Sequence, residues 1–152
     1  MPAFAPSYIY AFFALITVSS ILVSSFAAYA ATLRTIPEME QLRNILENVA
    51  AKGYELVALT TATNSTSEAV VQLPSSIGNR EYWVRLRYES SKAWVEGALG
   101  GIHDESSINR IYLPKEVSVS GHYSSGYGQA VLECHLNGSI VNLGLSTWRG
   151  NA

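Results

Sequence analysis

Charge is missing from the opening of this chain. Between Met1 and Leu33 there is no Asp, Glu, Lys, Arg or His, and the first charged residue is Arg34. Cysteine is nearly missing as well: Cys134 is alone, so no intrachain disulfide can form and a secreted disulfide scaffold is excluded. It sits in Ala130-Val131-Leu132-Glu133-Cys134-His135-Leu136, in step with Leu132 and Leu136, as a small buried hydrophobe would; a reactive thiol or metal ligand is the alternative. Clustered basic residues are also lacking. Ten Lys and Arg against twelve Asp and Glu leave a net charge of −2, which removes nucleic acid as a primary partner because phosphate binding needs grouped cations.

Catalytic signatures are the last absence. No G-x-S-x-G, P-loop, GxGxxG or H-E-x-x-H occurs, and no catalytic, cofactor-binding or metal-ligating residue is assigned; no cofactor is expected. His103 and Asp104 fall in the polar loop Gly100–Ser107. His122 and His135 fall in predicted strands, without metal-type spacing to each other or to Cys134. An exported enzyme with an unusual site requires His103, Asp104, His122, Cys134 and His135 to meet in space.

What is present is a long apolar segment. Tyr8–Leu33, as a helix rising 1.5 Å per residue, is roughly 39 Å long and exceeds a hydrocarbon core of about 30 Å. Lipid can shield it, and so can a bundle of other copies of the same helix. Ser7 is placed to cap its start. Ser19, Ser20, Ser24, Ser25, Ala27, Ala28, Ala30 and Ala31 allow helices to approach closely, and Tyr10, Phe13, Ile16, Ile21, Val23 and Phe26 are the candidate assembly residues. Tyr8, Tyr10, Phe12 and Phe13 suit an interfacial aromatic belt at one end. Ala28-Tyr29-Ala30 resembles a signal-peptide cleavage site, but no basic residue precedes the segment and an amphipathic run follows it; the segment is expected to be retained in the mature protein.

That run is Glu38–Lys52, where Met39, Leu42, Leu46 and Val49 recur at spacings of three and four. Pro37 either kinks one long helix or opens a second one, and Gly53 reads as the residue just beyond its end. The expected organisation is therefore 1–53 as a hydrophobic helix with an amphipathic continuation, and 54–152 as a β-rich head. In the head the period changes to two. Candidate strands are Glu55–Thr61, Ser67–Leu73, Glu81–Glu89, Lys92–Ala98, Asn109–Leu113, Glu116–Tyr123, Gln129–Leu136 and Ser139–Leu145. Turn chemistry separates them, with Asn137-Gly138 the strongest hairpin signal. In Tyr82-Trp83-Val84-Arg85-Leu86-Arg87-Tyr88, Arg85 and Arg87 take the face opposite Tyr82, Val84, Leu86 and Tyr88. Trp83 shares that arginine face, open to a partner; Trp94 and Trp148 stay ambiguous. Gly121–Gly128, rich in Gly, Ser and Tyr, is either an adaptable contact loop or a flexible hairpin tip. Seven or eight short strands without intervening helices indicate an α+β chain with an antiparallel sandwich or barrel-like head. Asn64-Ser65-Thr66 and Asn137-Gly138-Ser139 are N-glycosylation sequons, usable if the head lies outside the cell.

An apolar helix near the N-terminus, running into an amphipathic helix and then an all-β head, resembles the archaeal type IV pilins and archaellum-type subunits. Tyr8–Leu33 and Ile36–Val49 carry that likeness, together with an acid-free start that differs from bacterial pilins and their early glutamate. The resemblance implies an immunoglobulin-like sandwich head and homo-oligomerisation into an extracellular helical filament through packed N-terminal helices. It also implies membrane insertion before assembly, and a structural rather than enzymatic role. Family members are made with a short basic leader that is cut off. Met1-Pro2-Ala3-Phe4-Ala5 has no basic residue, which implies either a chain that starts after processing or an uncleaved accessory relative whose β-domain binds a surface-layer partner.

Overall fold

The computed structural model describes residues 5–101, 108–114 and 116–148, and the chain divides into two compact units, Met1–Pro37 and Glu38–Ala152. One helix, α1 (Ala5–Thr63), enters both, and its helical assignment is continuous through Pro37. Ser7 lies inside α1 rather than capping it. The apolar half is long and hydrophobic enough to cross a membrane by length and composition, and none of its spanning window is buried within the chain.

The second unit packs the rest of α1 on a sheet. The strands are β1 (Ser67–Val71), β2 (Tyr82–Glu89), β3 (Lys92–Leu99), β4 (Asn109–Tyr112), β5 (Val117–Ser124), β6 (Gln129–Asn137) and β7 (Ile140–Trp148). They form one seven-stranded sheet in the order β1-β6-β7-β5-β2-β3-β4, antiparallel throughout except where β5 runs parallel to β7. Leu42, Leu46 and Val49 are completely or almost completely buried in the same core as Val84, Val95, Leu132 and Leu143, with Met39 packed at its margin. Removing those three helix side chains from water contributes roughly 5–9 kcal/mol.

Seven of the eight expected strands are present, and the eighth is helix. The residues of Glu55–Thr61 belong to α1, because the buried stripe does not stop at Lys52: Gly53, Leu56 and Thr60 continue it one and two turns further. Gly53 is therefore not the residue that ends the helix. A Cβ there would lie 3.0 Å from Cδ2 of Leu143, so its missing side chain lets α1 lie close against β7. The helix ends at Asn64, whose positive φ of 54° and N–H bond to the Thr60 carbonyl (2.9 Å) make the left-handed terminal turn.

β5 changes partners along its length. Val117–Gly121 pair with β7, and His122–Ser124 pair with β2. At the changeover Gly121 has φ 109° and its Cα lies hard against the Leu145 carbonyl, where no side chain fits. The β6–β7 hairpin turns at Gly138-Ser139, flanked by the pair Asn137 and Ile140, and the β2–β3 hairpin turns at Ser90-Ser91.

Candidate functional site

Two surfaces stand out, one in each unit. Along the apolar half of α1 every side chain from Ser7 to Leu33 is exposed, including the six candidate assembly residues, from Ile16 at 47% to Tyr10 at 76%. Those six spread over more than half of the helix circumference rather than lying on one side, and Phe13 falls on the same side as Thr17 and Ser20. Side-chain size, in contrast, is sorted. Thr17, Ser20, Ser24, Ala28, Ala31 and Thr35 recur every three or four residues and fall on one side. Leu15, Val18, Leu22, Phe26, Tyr29 and Leu33 recur in the same way on the opposite side.

Four of the eight serine and threonine hydroxyls between Ser7 and Thr35 bond the helix's own backbone. Thr17 Oγ1 donates to the Phe13 carbonyl (2.8 Å), Ser25 Oγ to Ile21 (2.8 Å), Thr32 Oγ1 to Ala28 (3.1 Å) and Thr35 Oγ1 to Thr32 (2.9 Å). Such bonds let hydroxyl residues enter surroundings that offer no water.

The second surface is the face of β2, β3 and β4 turned away from α1. Strand alternation puts Trp83, Arg85 and Arg87 of β2 beside Ala98, Glu96 and Trp94 of β3, and register puts Arg110 and Tyr112 of β4 beside Glu96 and Trp94. Glu96 has no exposed surface. Its Oε1 accepts from Arg85 Nε (2.9 Å) and Nη2 (2.6 Å), and its Oε2 accepts from Trp94 Nε1 (2.7 Å) and Arg110 Nε (3.2 Å). Burial by itself raises the pKa of this carboxyl. The bonds from Trp94 and Arg85, with the charges of Arg85 and Arg110, outweigh it and hold the group below the usual carboxylate range. The guanidinium of Arg85 lies 5.2 Å from the Trp83 ring centre and that of Arg110 lies 5.5 Å from Trp94, adding cation–π contacts.

Trp83 is on the arginine face as expected, yet only 1% of it is exposed, so it is not free to meet a partner; its indole N–H has no hydrogen-bond partner among the described residues. Trp94 is also buried, and Trp148 is 59% exposed. The Gly121–Gly128 stretch is half strand. Tyr123 is in the core, its hydroxyl donating to the Gly128 carbonyl, while Tyr127 is exposed.

Of the residues an enzyme would need, the described ones, His122, Cys134 and His135, do not come together. His103 and Asp104 lie outside the described residues. Cys134 faces the core, His135 faces away from it on β6, and His122 is on β5 with β7 between them. Among the described residues no group of three or more His, Cys, Asp or Glu side chains is placed to hold a metal ion. Asn64 and Asn137 are both exposed, the first at the end of α1 and the second at the end of β6. The size sorting on α1 and the burial of Glu96 are the features sequence reasoning missed. The first could have been found by placing the small residues on a helical wheel, the second by pairing Arg85 with Glu96 across the Ser90-Ser91 turn. Comparison of the chain with protein-family models, with curated proteins and with solved structures finds no match.

Proposed function

We propose that this chain is a structural, non-enzymatic subunit of an extracellular type IV pilus-like filament, held in the membrane by its apolar helix before assembly. Support comes from an uncovered helix that carries a stripe of small residues opposite a stripe of bulky ones. Exclusion from water alone does not select a bundle over lipid, because hydrocarbon shelters Leu and Phe equally well. Selection comes from close packing. Bulky residues of one copy seat against the small stripe of the next, and the same contact repeats from copy to copy. The sheet-bearing unit then forms the coat, with Asn64 and Asn137 open to glycans. The immunoglobulin-like description of that coat draws support from the partner change in β5, which divides the pairing into β1-β6-β7-β5 and β5-β2-β3-β4.

The test is electron microscopy of sheared surface filaments from cells making Ser24→Leu/Ala28→Leu. Filling the small stripe keeps the chain in the membrane fraction but abolishes filaments. Abundant normal filaments from this variant, or wild-type filaments without the chain, overturn the proposal. A second reading is a single-pass surface protein that binds a surface-layer partner through its head. It draws on the exposed Arg87, Arg110 and Tyr112, and it gains if the extracted chain is always monomeric and retains that partner.

A further inference from the structure

The sheet face turned away from α1 carries opposite charges at its two ends. At the β1–β6 end, Glu68 and Glu133 are direct cross-strand partners on that face, both exposed, and neither makes an ion pair among the described residues. Like charges placed opposite each other destabilise an antiparallel pair, and a cation between them removes that cost. At the β2–β3–β4 end, three guanidinium groups surround Glu96, and Glu89 stands at the rim. Glu96 has both oxygens occupied by Arg85, Trp94 and Arg110. Arg87 lies no closer than 3.8 Å to either carboxylate, and among the described residues Arg110 uses only its Nε. The side chains of Arg87 and Arg110 are 46% and 48% exposed, so their remaining N–H donors are open to an acceptor from outside.

Between the two ends the same face carries Ser118, Ser120 and His122 of β5 and Asn142, Gly144, Ser146 and Trp148 of β7, with no acid, lysine or arginine. At about 4.8 Å per strand the charged ends are roughly 20 Å apart along the sheet, twice the screening length of about 10 Å at 0.1 M salt. They cannot neutralise each other within one chain. A second copy can supply what each end lacks.

We infer that the heads associate head to tail, the Glu68/Glu133 pair of one copy accepting hydrogen bonds from Arg87 and Arg110 of the next. The contact is heterologous, so a joined pair keeps one acidic and one basic end free for further copies. This deepens the filament reading and rests on it for its setting, but it is carried by residues outside the apolar helix.

The experiment uses the full chain in detergent micelles, with self-association followed by sedimentation velocity at 20 and 500 mM NaCl. Two variants are made: Glu68→Lys/Glu133→Lys, basic at both ends, and Arg87→Glu/Arg110→Gln, which keeps Arg85 on Glu96. Circular dichroism confirms that each is folded. The wild type is expected to associate at 20 mM salt and to weaken at least tenfold at 500 mM. Each variant alone loses at least tenfold, and an equimolar mixture of the two recovers association. That recovery is something a merely misfolded variant cannot give. Variants that associate as the wild type does, a mixture that fails to recover, or a wild type monomeric at both salts overturns the inference. Loss confined to the arginine variant overturns it too, by assigning those arginines to a different anionic partner. Each of these leaves the helix-packing proposal to its own test, since Ser24→Leu/Ala28→Leu leaves both charged ends intact.

Discussion

Replacing Glu96 by Gln preserves the shape of a completely buried side chain while removing its charge and half its acceptor capacity. The carboxylate satisfies four N–H donors, two on each oxygen, and three of them belong to guanidinium groups. An amide has one acceptor oxygen and turns an NH2 toward the other pair. If the oxygen stays on Arg85, the Trp94 indole and Arg110 face a donor; the reverse placement strands Arg85. Breaking one partner of a buried ion pair costs about 3–5 kcal/mol. Arg85 and Arg110 are 30% and 48% exposed, so water takes over part of their bonding, and about 2–4 kcal/mol is expected here. Denaturant unfolding of the head in detergent, followed by the fluorescence of Trp83 and Trp94, measures the loss. The pH dependence is a second signature. Because the folded pKa of Glu96 lies below its unfolded value near 4.3, the stabilisation is present above that value and is lost as pH falls through the folded one. The gap between wild type and Glu96→Gln is therefore constant from pH 6 to 8 and narrows below about pH 4. A gap smaller than about 0.5 kcal/mol at pH 7, or one that persists unchanged to pH 3, refutes the account of this cluster.

Gly121→Ala is expected to destabilise the head by more than about 3 kcal/mol, seen as loss of cooperative unfolding, because φ 109° and the Leu145 carbonyl both exclude a Cβ. Ser90→Asn/Ser91→Gly is expected to stabilise by about 1 kcal/mol in the same unfolding assay, since both turn residues have positive φ (51° and 61°) and Asn-Gly tolerates that conformation better than Ser-Ser. Burial raises the pKa of Tyr82, reinforced by neighbouring Tyr123, and burial raises that of Tyr123 too. The folded state keeps both phenols protonated, so stability holds below pH 10 and declines above it, and alkaline absorbance titration should show two of the nine tyrosines ionising only on unfolding.

Most of the sheet was legible in the sequence because strand alternation and turn residues are local properties. Tyr82–Tyr88 showed its two faces, and the turns at Ser90-Ser91 and near Asn137-Gly138 lie where the residues indicated. What escaped depends on contacts distant in the chain. Leu56 and Thr60 extend the buried stripe of α1, yet Leu59-Thr60-Thr61-Ala62-Thr63 contains β-branched residues that favour a strand when taken alone. Gly53 has the appearance of a helix stop until Leu143 is known to lie against it. Nothing local marks the parallel pairing of β5 with β7 or the need for glycine at position 121. Glu96 is the one carboxylate in β3, and its burial becomes intelligible only when β2 and β4 bring their arginines alongside.

The threonine and serine hydroxyls of the apolar helix have a mechanical consequence. With their protons committed to carbonyls one turn back, Thr17, Ser25, Thr32 and Thr35 offer few polar latches to a neighbouring surface. If the helix packs among copies of itself as proposed, the stagger between rods is therefore set by the fit of bulky against small side chains and not by polar latches at these four positions.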